Sequence, residues 1–137
     1  MSRSPFGPVS LLCLGCLLML GCGGSRQLQS VSVMPAAADA QNFPGAQVAF
    51  AATGTFSKPP SPQPLTKGEI SWCVGTAQGM CVGNVNPGAT VDSNGVAKCV
   101  PSFSGTVNIL AGKAMAGTNP DGGPQMTVFG AAKLTCP

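Results

Sequence analysis

Residues 47–57 read QVAFAATGTFS, and this stretch carries the clearest alternation in the chain. Its even positions are mainly apolar, whereas Gln47, Thr53 and Ser57 lie at odd positions. Because successive side chains of a β-strand point to opposite faces, a period of two predicts a strand with one buried face. The side chains expected on that face are Val48, Phe50, Ala52, Gly54 and Phe56.

Similar short segments occur on both sides of this strand. They are rich in Val, Ile, Thr and Ser, and the segments between them are rich in Gly, Pro, Asn and Asp, which favours strands over helices. The alanine-rich segment 36–45 is predicted as a turn. About seven short strands at this spacing predict an all-β fold of two stacked sheets, a β-sandwich. The other strand segments are 31–35, 69–74, 89–91, 96–100, 106–111 and 126–136.

Local patterns predict further details of this sandwich. Residues 92–95 read DSNG, which predicts a hairpin between the strands on either side. Ile70, Trp72 and Val74 share one face of their strand, so the only tryptophan is expected at the centre of the core. Residues 58–68 hold four prolines and predict a loop or an extended edge.

The N-terminus has the layout of an export signal. A weakly basic start with Arg3 leads into an apolar run over residues 9–20, which ends at Gly21 and Cys22. A helix needs about 20 apolar residues to span a bilayer, so this shorter run indicates export and not a membrane span. We therefore predict three segments: a signal peptide (1–21), a tether (22–29) and one folded domain (30–137).

The charge of the chain is small. The sequence has seven Lys and Arg, four Asp and Glu, and a net charge of +3. Because Arg3 leaves with the signal peptide, the mature chain has a net charge of +2. Such a charge, spread singly along the chain, predicts that nucleic acid is not a partner.

Four cysteines lie in the predicted domain, and an even number in an exported chain predicts two disulfides. Free buried thiols are an alternative, and the lack of closely spaced CxxC pairs argues against zinc. The last strand is expected to run antiparallel to residues 106–111, which brings Cys136 towards Cys99 and leaves Cys73 to pair with Cys81. The rival pairing joins Cys81 to Cys99 and Cys73 to Cys136, and the sequence alone leaves it open.

The sequence lacks the residues on which most enzyme sites depend. It contains no histidine and no tyrosine, which removes the commonest general base and the commonest metal ligand. The segment 92–95 is similar to the start of a calcium loop, but the glutamate that completes such a loop is missing. We therefore expect no enzymatic activity, no metal and no cofactor. The carboxylates of the mature chain are too scattered for a paired-carboxylate site: Asp39, Glu69, Asp92 and Asp121.

The string Leu18-Met19-Leu20-Gly21-Cys22 resembles the lipobox of bacterial lipoproteins. The resemblance implies that Cys22 is linked to diacylglycerol by a thioether, becomes the new N-terminus and is N-acylated. The implied partner is a lipid bilayer, and the implied location is the cell envelope. In Gram-negative sorting an aspartate beside the cysteine marks inner-membrane retention. Since Gly23 stands there, the outer membrane is favoured over the inner membrane.

Five pieces of the chain between residues 31 and 114 occur in the order and approximate spacing of a known module. They resemble a group 2 bacterial immunoglobulin-like domain, which is found in invasin- and intimin-type surface proteins. The resemblance implies an immunoglobulin-like two-sheet β-sandwich of about seven strands. The prolines of residues 58–64, the cysteines and the final hairpin depart from the family pattern. The matching pieces are 31–35, 47–57, 70–72, 89–96 and 104–109.

Two functions are open to such a chain. The preferred one is a membrane-tethered, non-catalytic module with a structural or surface-contact role in the envelope. The alternative is a periplasmic binding module whose loops over 75–88 and 112–123 hold a glycan or a peptide. Glycan sites generally stack sugars on exposed Trp or Tyr. Because tyrosine is absent and Trp72 is expected in the core, the first function is preferred.

Overall fold

The computed structural model describes residues 24–83, 87–117, 120 and 122–137. This part of the chain is all-β, as the sequence predicts, and two short 3-10 turns at Ala40–Asn42 and Pro44–Ala46 interrupt the strands. The predicted signal peptide and Cys22 lie outside the described residues. The strands are β1 (Leu28–Met34), β2 (Ala37–Asp39), β3 (Gln47–Ala49), β4 (Ala51–Phe56), β5 (Gln63–Pro64), β6 (Ser71–Gly75), β7 (Ala89–Val91), β8 (Val96–Cys99), β9 (Gly105–Ala114) and β10 (Met126–Cys136).

The strand predicted over residues 47–57 is present, but it contributes to two sheets. Its predicted face is buried, except that Phe56 is half-buried. The change of sheet occurs at Phe50, whose N–H donates to the carbonyl of Gly95 at 2.9 Å. Before this residue β3 pairs with β8, and after it β4 pairs with β1 and β5. The alternation does not reveal the change of partner, because both halves keep the same buried face.

The longest strand pair joins β9 and β10. The two strands run antiparallel from the pair Met126 and Ala114 to the pair Cys136 and Gly105. β6 adds to this sheet beside β9, and β2 pairs in parallel with the far end of β10. The segment predicted as a turn over 36–45 therefore contains a strand. Its three residues are too few to show an alternation, so only the pairing with β10 identifies it.

The hairpin predicted around residues 92–95 is confirmed, with β7 and β8 antiparallel. Asp92 Oδ1 accepts hydrogen bonds from the backbone N–H groups of Asn94 and Val96 at 2.8 and 2.9 Å. Gly95 has a φ of +82°, a conformation that residues with a Cβ rarely adopt. The turn therefore depends on an aspartate at its first position and a glycine at its last.

One cluster of buried side chains draws on strands of all three sheets. Ile109 and Leu134 come from β9 and β10, Val48 from β3 and Val31 from β1. The sheets approach closely where β1 passes β10, because a Cβ built on Gly130 would lie 2.5 Å from the carbonyl oxygen of Val31. A residue with a side chain at this point of β10 would push the two strands apart.

Trp72 lies at the margin of the core and not at its centre, so that prediction is wrong. Its side chain is half-buried, whereas Ile70 and Val74 on the same predicted face are buried. A Cβ built on Gly95 would lie 2.8 Å from the indole atom Cζ2, which shows that the ring packs on the turn between β7 and β8. β6 is the outer strand of its sheet, and the indole contacts this turn instead of the centre of the core.

Candidate functional site

The disulfide between Cys99 and Cys136 joins the end of β8 to the end of β10, with Cα atoms 5.7 Å apart. Cys136 lies opposite Gly105 in the β9–β10 pair, which is the geometry that the sequence analysis expects. The predicted pairing is confirmed, and the rival pairing is wrong. Because β8 and β10 belong to different sheets, this bond ties two sheets together.

The second disulfide joins Cys73 in β6 to Cys81, again with Cα atoms 5.7 Å apart, and confirms the other predicted pair. The chain after β6 folds back on this strand, and the N–H of Val82 donates to the carbonyl of Val74 at 2.8 Å. The returning segment therefore covers part of the outer edge of β6. An open edge would offer unpaired backbone groups to another chain, so this cover limits edge-to-edge association.

The described carboxylates serve local turns and do not meet in one site. Asp39 accepts a hydrogen bond from the backbone N–H two residues further on, at 3.0 Å. The Thr66 hydroxyl, and then its backbone N–H, hold the pKa of Glu69 below its ordinary value, and the charge of Arg26 adds to this effect. Asp121 lies outside the described residues. Within the described ranges there is no cluster of three or more metal-ligating side chains.

Residues 24–27, within the predicted tether, are bonded to the domain before β1 begins. The N–H of Gln27 donates to Ser57 Oγ at 3.0 Å, and the N–H of Ser57 donates to the carbonyl of Gln27 at 2.9 Å. Earlier in the chain, Lys58 Nζ donates to the carbonyl of Gly24. Contacts with the loop after β4 therefore begin within the predicted tether, at Gly24.

Arg26 is the residue that fixes this segment most firmly. Its Nε donates to the carbonyl of Lys58 at 3.1 Å, and a terminal N–H donates to the carbonyl of Pro60. Its guanidinium carbon lies 3.5 Å from the centroid of the Phe56 ring, which is a cation–π contact. The hydrogen bonds and the stacking hold the charged group in one position on the loop after β4.

An open cleft of about 530 Å³ lies between this segment and the start of β10. Arg26 and Lys113 line it, and none of its lining residues is a carboxylate. Lys113 is exposed at the end of β9. The lining of the cleft therefore combines two basic residues with polar and apolar ones. Its lining residues are Ser25, Arg26, Gln27, Leu28, Lys113, Thr127 and Val128.

Sequence reasoning missed this cleft because its residues come from three distant segments. The antiparallel pairing of β1 with β4 places Leu28 opposite Phe56, so Arg26 precedes one strand and Lys58 follows the other. Lys113 arrives separately at the end of β9, beside the start of β10. Arg26 and Lys113 are single basic residues far apart in the sequence, and they become informative only when the pairing of the strands is known.

No helix within the described residues is long and apolar enough to cross a membrane. No protein-family model matches the chain, and no curated protein is detectably similar to it. What the chain does must therefore be inferred from its own residues.

Proposed function

We propose that this chain is a lipid-anchored, non-catalytic, immunoglobulin-like module of a bacterial cell envelope, attached through an acylated Cys22. The observation that carries the proposal is the fastening of Gly24 and Arg26 to the Lys58 segment, beginning two residues after Cys22. At about 3.5 Å per residue, the Cα atoms of Cys22 and Gly24 are at most about 7 Å apart. An acyl anchor at Cys22 would therefore hold the domain directly on the bilayer.

The short connection between Cys22 and the domain limits how far the module can extend from its membrane. An adhesin has to project away from its membrane to reach a partner, and a fastened connection of two residues gives no such reach. A structural role or short-range contacts at the membrane surface suit the geometry better. By the lipoprotein resemblance, the outer membrane is the favoured location in a Gram-negative cell.

The strand order supports the immunoglobulin-like part of the proposal. β3 and β4 are consecutive halves of one strand, so β1, β3–β4, β8 and β7 follow one another across one layer. β10, β9 and β6 follow one another across the other, with β2 beside β10. Immunoglobulin-like domains have the orders A-B-E-D and G-F-C. Taking β1 as A, β3–β4 as B, β6 as C and β7 to β10 as D to G reproduces both orders, with β2 and β5 as short additions.

The alternative of a glycan- or peptide-binding module has less support. Trp72, the side chain best suited to stacking on a sugar ring, packs on Gly95 and is half-buried. Of the loop over 75–88, the described first part is tied back to β6 by the bond between Cys73 and Cys81. These two features remove an aromatic surface and an open loop from the region where the alternative needs them.

The experiment that tests the lipid anchor compares the wild-type chain with Cys22→Ser, expressed in an exporting bacterium. Acyl chains contribute about 0.8 kcal/mol per buried methylene, so the wild type should enter the detergent phase and Cys22→Ser should be unprocessed or aqueous. Cys16→Ser is the matched control, because Cys16 leaves with the predicted signal peptide and its loss should not change partitioning. Mass spectrometry should find acylated Cys22 as the mature N-terminus. An unmodified N-terminus, or the same partitioning for Cys22→Ser as for the wild type, would refute the anchor.

A further inference from the structure

The cleft beside the N-terminal segment carries positive charge that no lining side chain neutralises. The guanidinium of Arg26 has five N–H donors, and two of them are used on backbone carbonyls. Within the described residues the other three N–H donors have no acceptor. Since stacking on Phe56 holds the group in place, these donors are available to a ligand with little loss of side-chain freedom.

Lys113 supplies the second cation. The hydroxyl of Thr127 donates to the carbonyl of Lys113 at 3.1 Å, which ties the end of β9 to the start of β10 at the wall of the cleft. In the part of the chain that the structure describes, the Lys113 ammonium has no ion-pair or hydrogen-bond partner. Ser25 and Gln27 add uncharged polar groups to the same lining.

The carboxylate that interacts electrostatically with Arg26 does not occupy the cleft. The charge of Arg26 helps to lower the pKa of Glu69. One carboxylate oxygen of Glu69, however, accepts hydrogen bonds from the hydroxyl and the N–H of Thr66 at 2.7 and 2.8 Å. It is not among the lining residues. The residues that line the cleft therefore include two basic side chains and no carboxylate, which favours an anionic ligand.

We propose that this cleft binds the phosphate of an anionic phospholipid headgroup in the membrane that holds Cys22; this inference rests on the proposed lipid anchor. An arginine fork and an ammonium group are the side chains that bind phosphate oxygens best. The cleft is open, which suits a headgroup at a bilayer surface. Because Cys22 precedes the lining residue Ser25 by three positions, an anchor there would keep headgroups at a high local concentration.

Headgroup binding would orient the domain on its membrane. The cleft lies at the end of the domain where β1 begins and where β9 passes into β10. A headgroup held there would keep this end on the bilayer. Lys133 lies five residues beyond Val128 along β10, or about 17 Å away at the spacing of a β-strand. That distance exceeds the Debye length of about 10 Å at 0.1 M salt, so Lys133 is a natural control.

The test uses the mature acylated protein reconstituted in vesicles. One set contains phosphatidylcholine alone, and the other contains phosphatidylcholine with phosphatidylglycerol. An amine-reactive reagent is added, and the labelling rates of Lys113 and Lys133 are measured by mass spectrometry of peptides. A basic residue beside an anionic bilayer gains about a fivefold preference. We expect Lys113 to be labelled about fivefold more slowly with phosphatidylglycerol, and Lys133 to be labelled equally in both.

Two variants test whether the protection of Lys113 depends on Arg26. Arg26→Gln should abolish most of the protection of Lys113, whereas Lys133→Gln should leave it intact. Equal labelling of Lys113 in the two vesicles would overturn the proposal, and so would equal protection of Lys113 and Lys133. Protection of Lys113 by inorganic phosphate in phosphatidylcholine vesicles would also overturn it, because the cleft would then bind a free anion and not a headgroup.

A failure of the anchor can be told apart from a failure of the cleft. The mass of the mature N-terminus reports acylation of Cys22 before any labelling. If the chain is not acylated, its sedimentation with phosphatidylglycerol vesicles tests the cleft alone. Lys113→Gln should then bind about fivefold more weakly than Lys133→Gln, although both lose one charge. Equal binding of the two variants would refute the binding of an anionic headgroup in the cleft.

Discussion

Removing the disulfide between Cys99 and Cys136 should destabilise the domain more than removing the one between Cys73 and Cys81. A disulfide lowers the conformational entropy of the unfolded chain, and the resulting stabilisation of the folded state grows with the number of residues in the loop that the bond closes. The sequence separations are 37 and 8, which correspond to about 4 and about 2.5 kcal/mol. The longer bond also joins two sheets, whereas the shorter one closes a turn beside β6.

The comparison uses two double variants, Cys99→Ala with Cys136→Ala and Cys73→Ala with Cys81→Ala. Each removes two sulfurs, one from a buried cysteine (Cys136 at 3% or Cys81 at 1% exposed) and one from a half-buried cysteine (Cys99 or Cys73), so the cavity contributions nearly cancel. Urea unfolding followed by Trp72 fluorescence gives both free energies of unfolding. We expect the variant without the long bond to be less stable than the other by about 1.5 kcal/mol. Equal free energies, or the opposite order, would show that loop length does not govern the effect of these bonds.

Gly130→Ala should lower the free energy of unfolding by about 1–3 kcal/mol, because the added Cβ would lie 2.5 Å from a carbonyl oxygen of β1. Gly24→Ala is its control, since the atom nearest to the added Cβ would be 3.9 Å away. If Gly130→Ala unfolds at the same urea concentration as the wild type, the close approach of β1 and β10 is contradicted. The backbone N–H of Val96, and then that of Asn94, hold the pKa of Asp92 below its ordinary value of 3.8. A carboxylate with a lowered pKa stabilises the fold above its ordinary value, and this contribution is lost as the pH falls through the lowered value. Asp92→Asn should therefore reduce Tm at neutral pH, and the difference from the wild type should shrink well below pH 3.8; a difference that is constant with pH would argue against the turn hydrogen bonds.

Much of the strand pattern was readable from short-range periodicity. The alternation over 47–57 predicted which side chains are buried, apart from the half-buried Phe56, because a β-strand places neighbouring residues on opposite faces. The turn at 92–95 was predictable for a local reason, since Asp92 bonds to backbone groups of the same turn. The candidate cleft was not predictable, because Arg26 and Lys113 meet only through the pairing of strands far apart in the chain.

The sequence by itself determined the all-β class and the hairpin, since each follows from local pattern, and it favoured the pairing of Cys99 with Cys136 while leaving the rival pairing open. Only the tertiary structure decided that the strand through Phe50 changes sheets, that β2 pairs in parallel with β10, and that Trp72 lies at the margin of the core. The physical reason is that periodicity records which face of a strand is buried. Which strand lies beside it, and how deeply a face is covered, depends on the packing of residues that are distant in sequence.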